Sequence, residues 1–298
     1  MDDIYRSAGG RRLLHDLYRR HLAALDVPIN EQMVETELGD THVMAYGRRD
    51  ATPILCFHGE YLVNPLAMRP FIEGMDMEQV CLIVPDVPGA VGFSPGRRLS
   101  ASKGEYGRWA LQLMEALRLR GCTVLAWSMG AHIALQLCET SVLSVSRLML
   151  VQPAGFASTS LTRTDRLLGG RTPDLDRLQL PDQVVRRALM PALNFDSPEL
   201  LEMARMIYLY LRPEPEEWKK EVKKKVMQKF RAPVGIVACK SDGLFPGDEV
   251  VKQARRVIPF IEMSRVVDLG CHCGLFADTD ASRETIAVIS DFLLRGKD

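Results

Sequence analysis

Five residues, Ala126-Trp127-Ser128-Met129-Gly130, constrain this chain more than any others. They lie between a short apolar β-pattern, Cys122 to Ala126, and a helical pattern, Ala131 to Cys138. A serine at the tip of a strand-turn-helix, with small residues two positions away on either side, is the setting of a nucleophile elbow. Such a turn holds its serine in a strained backbone conformation. The small flanking residues let strand and helix come close enough to expose the hydroxyl. A serine hydroxyl alone is a weak nucleophile, so this reading requires a base and an acid elsewhere.

Both candidates lie downstream. Val234-Gly235-Ile236-Val237-Ala238-Cys239 is a β-pattern, and Lys240-Ser241-Asp242-Gly243 is the turn after it. Asp242 therefore follows a strand end. The next β-pattern, Ile261 to Val267, leads into Leu269-Gly270-Cys271-His272-Cys273-Gly274 and sets His272 in the loop beyond. The chain order is Ser128, Asp242, His272, the order of α/β-hydrolases and not of other serine-triad folds. Asp268 stands too close to His272 along the chain to serve as its acid. An imidazole titrates near pH ~6.5, so His272 suits proton exchange near neutrality. Asp242 would fix its tautomer and stabilise the imidazolium.

Upstream, the buried-strand pattern Ile54-Leu55-Cys56-Phe57 is followed by His58-Gly59-Glu60. On these residues the chain resembles the α/β-hydrolase superfamily, whose members commonly carry His-Gly after the third strand. The resemblance implies that the backbone N–H groups of Glu60 and Met129 form an oxyanion hole. The run Asp86-Val87-Pro88-Gly89-Ala90-Val91-Gly92-Phe93-Ser94 is similar to the family's Asp-x-x-Gly-x-Gly-x-Ser stretch, with one extra residue between its glycines. That similarity makes Asp86 a structural turn residue. The resemblance covers about residues 33 to 298. Its nearest organisation is the serine carboxylesterase-like group with an N-terminal helix before the first strand. Ala126 replaces the first glycine of G-x-S-x-G, and Glu60 brings an acidic side chain beside the oxyanion position.

Residues 11 to 25 show Leu14, Tyr18, Leu22 and Leu25 at helical spacing, the stripe of a helix packed on a core. Gln32 to Leu38 and Thr41 to Tyr46 flank Gly39-Asp40 as a hairpin. Strands then alternate with helices, which implies a mostly parallel sheet. The strand patterns are Ile54–Phe57, Val80–Val84, Cys122–Ala126, Arg147–Val151, Val234–Cys239 and Ile261–Val267. The helical patterns are Tyr106–Leu117, Ala131–Cys138, Glu249–Val257 and Ser282–Leu294. Residues 156 to 231 break the alternation with helical patterns and six prolines from Pro173 to Pro215.

The expected fold is thus the α/β-hydrolase fold, with helices on both faces of the sheet and an inserted helical cap. Residues 1–30 form an N-terminal helical segment, 31–155 and 232–298 the core, and 156–231 the cap. A last cap helix would repeat Trp218, Val222, Val226 and Phe230, with Lys219, Lys220, Lys223, Lys224 and Lys225 mostly on its other faces. Met190, Met203, Met206 and Met227 are candidates for an acyl pocket or for simple cap core.

A formal net charge of zero gives no footprint for nucleic acid or an anionic membrane. No run approaches the about 18 apolar residues of a membrane span. The N-terminus shows no apolar leader region. Seven cysteines, several inside apolar strands, read as reduced thiols in a cytoplasmic protein. Cys271 and Cys273 lack a second Cys/His pair at ligand spacing, so no metal is expected. No dinucleotide or Walker fingerprint is present, so no cofactor is expected either. Function then reads as a serine hydrolase cleaving a small-molecule ester or lactone. A non-hydrolytic enzyme of the same fold (acyltransferase, lyase or cyclase) and a receptor-like ligand-binding relative remain open.

Overall fold

The computed structural model describes residues 3–59, 62–158, 197–212 and 227–295. An eight-stranded sheet runs in the order β1-β2-β4-β3-β5-β6-β7-β8. Its strands are β1 (Ile29–Val34), β2 (Thr41–Tyr46), β3 (Thr52–Phe57), β4 (Val80–Pro85), β5 (Cys122–Trp127), β6 (Val145–Val151), β7 (Val234–Cys239) and β8 (Ile261–Val267). β1 and β2 are antiparallel, as are β2 and β4, and every other pair is parallel. The strand order reverses between β3 and β5, the position where open α/β sheets commonly place a ligand site.

Helices cover both faces. On one lie α1 (Ala8–Ala23), α2 (Asn64–Gly74) and α7 (Asp280–Leu294), whose Leu14, Phe71 and Ile289 share a core with Cys56, Leu82 and Val237. On the other lie α3 (Glu105–Ala116), α4 (Gly130–Thr140) and α6 (Gly247–Val257), whose Trp109, Ile133 and Val250 pack on Leu55, Val124 and Ile236. Alternate residues of one strand thus enter different cores, as a two-residue side-chain period requires. This is why the central strands read as unbroken apolar runs.

Most expected elements lie within one to three residues of their observed bounds. The first strand does not: it spans Ile29–Val34, not Gln32 to Leu38, and a loop with Gly39 at φ +124 follows it. Its burial is slight apart from Val34, so apolar content was a poor guide to its register. Helix α2 has no counterpart in the sequence reading. It is buried on nearly all sides and holds Pro65 in its first turn and Pro70 inside, so it shows neither a stripe nor a clean helical composition.

Within the expected cap, α5 (Pro198–Tyr210) starts at Ser197, whose side chain accepts from Leu200 N–H. Its Leu200, Met203 and Ile207 join the core of Leu14, Leu17 and Tyr18, and Tyr5 bridges to Leu211. Met203 is therefore core, and Met227 is fully buried in the opposite core. Met190, Glu60 and the Trp218–Val226 stretch with its lysines lie outside the described residues. No disulfide joins any of the seven cysteines, and six are buried. Among the described residues, no helix is long and apolar enough to cross a membrane.

One buried carboxylate ties the first face together. Asp86 Oδ1 accepts from Tyr18 Oη at 3.1 Å and Asn64 Nδ2 at 3.0 Å, and Oδ2 accepts from Phe93 N at 2.8 Å. His42 Nδ1 meets Oδ2 at 2.8 Å, while His42 Nε2 meets Glu31 Oε1 at 2.7 Å. Carboxylate oxygens only accept and a neutral imidazole has one N–H, so His42 is an imidazolium. Burial disfavours that charge, but hydrogen bonds and charges from Asp86 and Glu31 outweigh it and raise the His42 pKa above 6.5. Arg19 grips Glu31 with two hydrogen bonds, and chiefly for that reason Glu31 is held down to about 2.

Two stability effects are expected, both read by urea unfolding. Asp86→Ala strands Tyr18, Asn64 and His42 and lowers stability by about 3–5 kcal/mol. The His42 proton contributes fully below pH 6.5, and its contribution fades as the pH rises through the raised folded value. His42→Gln keeps a neutral donor but removes this dependence, so its stability falls less steeply over that range. Equal slopes for the two proteins would show that His42 does not carry the proton.

Candidate active site

Ser128 follows the last residue of β5, the central strand, and takes φ +56. A non-glycine residue adopts this left-handed conformation only under constraint. The constraints are visible. Ser128 N–H donates to the Val151 carbonyl at 3.0 Å, and the Ser128 carbonyl accepts from Ala131 and Ala154 N–H groups at 3.1 Å each. A Cβ at Gly130 would collide with the Phe57 carbonyl, and one at Gly59 would lie 3.3 Å from Ser128 Cβ. Ala126 is wholly buried, so its methyl is accommodated where the motif has glycine.

Asp242 and His272 come from the loops after β7 and β8. Asp242 Oδ1 accepts from the N–H groups of Leu244 at 2.8 Å and Phe245 at 2.9 Å, a turn that aims Oδ2 at His272. His272 Nδ1 lies 2.7 Å from Asp242 Oδ2, and Nε2 lies 2.8 Å from Ser128 Oγ. With the carboxylate accepting, Nδ1 carries the hydrogen and Nε2 presents its lone pair to the serine hydroxyl. The imidazole stands between Phe245, edge-on at 5.3 Å, and Trp127, nearly parallel at 6.0 Å between ring centroids. Ser128, Asp242 and His272 are all at least 93% buried, so the hydrogen bonds of the group are shielded from water.

Asp268 is turned elsewhere: its Oδ1 accepts from Ser241 Oγ at 3.1 Å and Gly270 N at 3.2 Å. Asp86 belongs to the His42 network described above. Met129 precedes the first turn of α4, and its N–H has no acceptor among the described residues. A free amide at a helix N-terminus favours negative charge. Glu60, the other expected donor, is outside the described residues, but its neighbours are informative. His58 Nδ1 donates to the Gly59 carbonyl at 2.7 Å, and burial pushes the His58 pKa down against that hydrogen bond. Among the described residues no group of three or more His, Cys, Asp or Glu side chains is arranged to hold a metal, and Cys273 is a thiol pushed up by burial.

Comparison with known proteins agrees with this architecture. No curated protein matches the sequence. Carboxylesterase CesB (YbfK) from Bacillus subtilis superposes with TM-score 0.80 at 15% identity, covering 97% of this chain and 100% of that one. Naproxen esterase (carboxylesterase NP) from Bacillus subtilis gives 0.79 at 15% identity over 98% of this chain and 100% of that chain. The N-acyl homoserine lactonase AidH, solved with N-hexanoyl homoserine, gives 0.63 at 19% identity over 90% and 97%. At such identities these likenesses speak for the fold. The Alpha/beta hydrolase family profile matches residues 54–283, from β3 through the His272 loop into α7, and the chain belongs to that family.

Proposed function

We propose that this protein is a serine hydrolase that cleaves a carboxylic ester or lactone of a small molecule through an acyl-enzyme. The observation that carries the reading is the hydrogen-bonded series Ser128 Oγ, His272 Nε2, His272 Nδ1, Asp242 Oδ2, at 2.8 and 2.7 Å. Ser128 Oγ attacks the carbonyl carbon as its proton passes to His272 Nε2. The resulting imidazolium is stabilised by Asp242, which keeps Nδ1–H in place. Negative charge on the tetrahedral oxygen faces the Met129 N–H, with the Glu60 N–H as the second donor by family resemblance. One such donor is worth about 10²–10³ in turnover. His272 Nε2–H then protonates the departing alkoxide as the carbon–oxygen bond breaks. Water repeats the sequence on the acyl-enzyme, releasing acid and free Ser128.

Water is the only co-reactant this scheme requires. Esterases and a lactonase among the similar structures support an ester or lactone substrate. In this reading residues 156–231 form the cap that selects the substrate, residues 31–155 and 232–298 the catalytic core, and residues 1–30 the helical segment before it. Seven cysteines with no disulfide among them fit a reducing compartment, and the cytoplasm is the proposed location.

A fluorophosphonate probe is expected to label the wild-type protein and to leave Ser128→Ala unlabelled. Equal labelling of both would remove Ser128 as nucleophile. Asp242→Asn is expected to lower ester turnover by about 10⁴-fold, the loss that follows a wrong histidine tautomer. Asp268→Asn should stay near wild type, because its carboxylate serves Ser241 and Gly270. The opposite ranking of these two variants in steady-state assays would assign the acid to Asp268.

A further inference from the structure

Gln152, one residue past the end of β6, is as unusual as Ser128. Arg118, Ser128 and Gln152 are the non-glycine residues with positive φ among the described residues, and Gln152 has φ +42. The residue is 1% exposed. The backbone is pinned by a hydrogen bond from Gln152 N–H to the Val237 carbonyl at 2.6 Å. A buried polar side chain on a strained backbone persists where its hydrogen bonds require it.

Those hydrogen bonds lead to both sides of the site. Trp127 Nε1–H donates to Gln152 Oε1 at 3.1 Å, and Gln152 Nε2–H donates to the Cys271 carbonyl at 3.2 Å. An indole N–H only donates and a carbonyl only accepts, so the amide's orientation is fixed by its partners. Trp127 immediately precedes Ser128, and Cys271 immediately precedes His272. Trp127 also lies along the His272 ring. The amide therefore braces the loop bearing the imidazole against the turn bearing the serine.

We infer that Gln152 is a positioning residue for His272: through Trp127 and the Cys271 carbonyl it sets the approach of the imidazole to Ser128 Oγ. The inference rests on the proposed role of His272 as base. It goes beyond that role by assigning the geometry to a residue whose side-chain hydrogen bonds go to Trp127 and the Cys271 carbonyl and not to the reacting groups. Leucine at 152 cannot pair with either neighbour. Glutamate keeps the size and the acceptor for Trp127 and, once ionised, sets a second acceptor against the Cys271 carbonyl, so its kinetics are read over a range of pH.

The test compares wild type, Gln152→Leu and Gln152→Glu by ester kinetics and by the proton resonance of His272 Nδ1–H in its hydrogen bond to Asp242. Folding is checked by circular dichroism, and the same-sized Gln152→Glu serves if Gln152→Leu does not fold. The expected result is a fall in kcat by about 10²-fold, the scale of loss when a reacting group is displaced by about 1 Å. KM should change little, and the Nδ1–H resonance should shift or broaden. A folded variant with wild-type kcat and an unmoved resonance would overturn the inference, as would a rise in KM alone. Absence of esterase turnover in the wild type would count against the serine-hydrolase reading instead. The His272 resonance would still decide whether Gln152 positions the ring.

Discussion

The left-handed backbone at Ser128 is the constraint on which the rest of the site depends. Holding a non-glycine residue there costs about 1–3 kcal/mol. The cost is met because β5 lies between two parallel neighbours and every one of its residues is buried. Val151 and Ala154 hold the serine backbone from the β6 side. Gly130 and Gly59 leave the room that helix α4 and the β3 loop need on the other. A turn so held fixes the hydroxyl's position without help from a ligand, which is how a rigid scaffold prepares a reactive geometry.

Two buried histidine–carboxylate pairs show how one kind of contact serves different ends. His272 and His42 each place Nδ1 within 2.8 Å of an aspartate. They differ at the second nitrogen. His42 Nε2 faces the carboxylate of Glu31, so both ring nitrogens donate and the proton is locked in. His272 Nε2 faces a hydroxyl, which can donate or accept, so no second carboxylate fixes a proton on this nitrogen. The first pair fastens α1, α2 and the loop of Phe93 to the sheet. The second has an uncharged partner at Nε2, the arrangement that the proposed proton transfer requires.

Much of this was legible in the sequence because several signals agreed. Buried strands show as apolar runs; Ser128 stands directly after one, and Asp242 and His272 lie in the loops that follow β7 and β8. Their meeting at 2.7–2.8 Å is consistent with that order. What escaped has a common physical reason. Helix α2 is buried almost all round, so its pattern has no face. Strand β1 buries little beyond Val34, so its register leaves little trace in apolar content. His42, Asn64 and Tyr18 look like ordinary polar and aromatic residues until the fold gathers them on Asp86. Gln152 carries no motif; its only sequence signal is an amide where an apolar strand ends.

That last case joins two strained positions into one structural device. Ser128 and Gln152 occupy left-handed backbone just past the ends of neighbouring strands, β5 and β6. Ser128 N–H bonds to Val151, the residue before Gln152, and Trp127, the residue before Ser128, bonds to the Gln152 side chain. Each bend is therefore held by contacts next to the other. Strain at one position alone would relax by local rotation. Shared between two strand ends, it relaxes only if the parallel pairing of β5 with β6 yields as well. The pairing of Trp127 with Val151 at the last step of that ladder opposes this movement. The third partner, the Cys271 carbonyl, extends the bracing to the loop after β8, two strands beyond β6 in the sheet. The imidazole is thus held from both of its ends, by Asp242 at Nδ1 and by the main chain just before it.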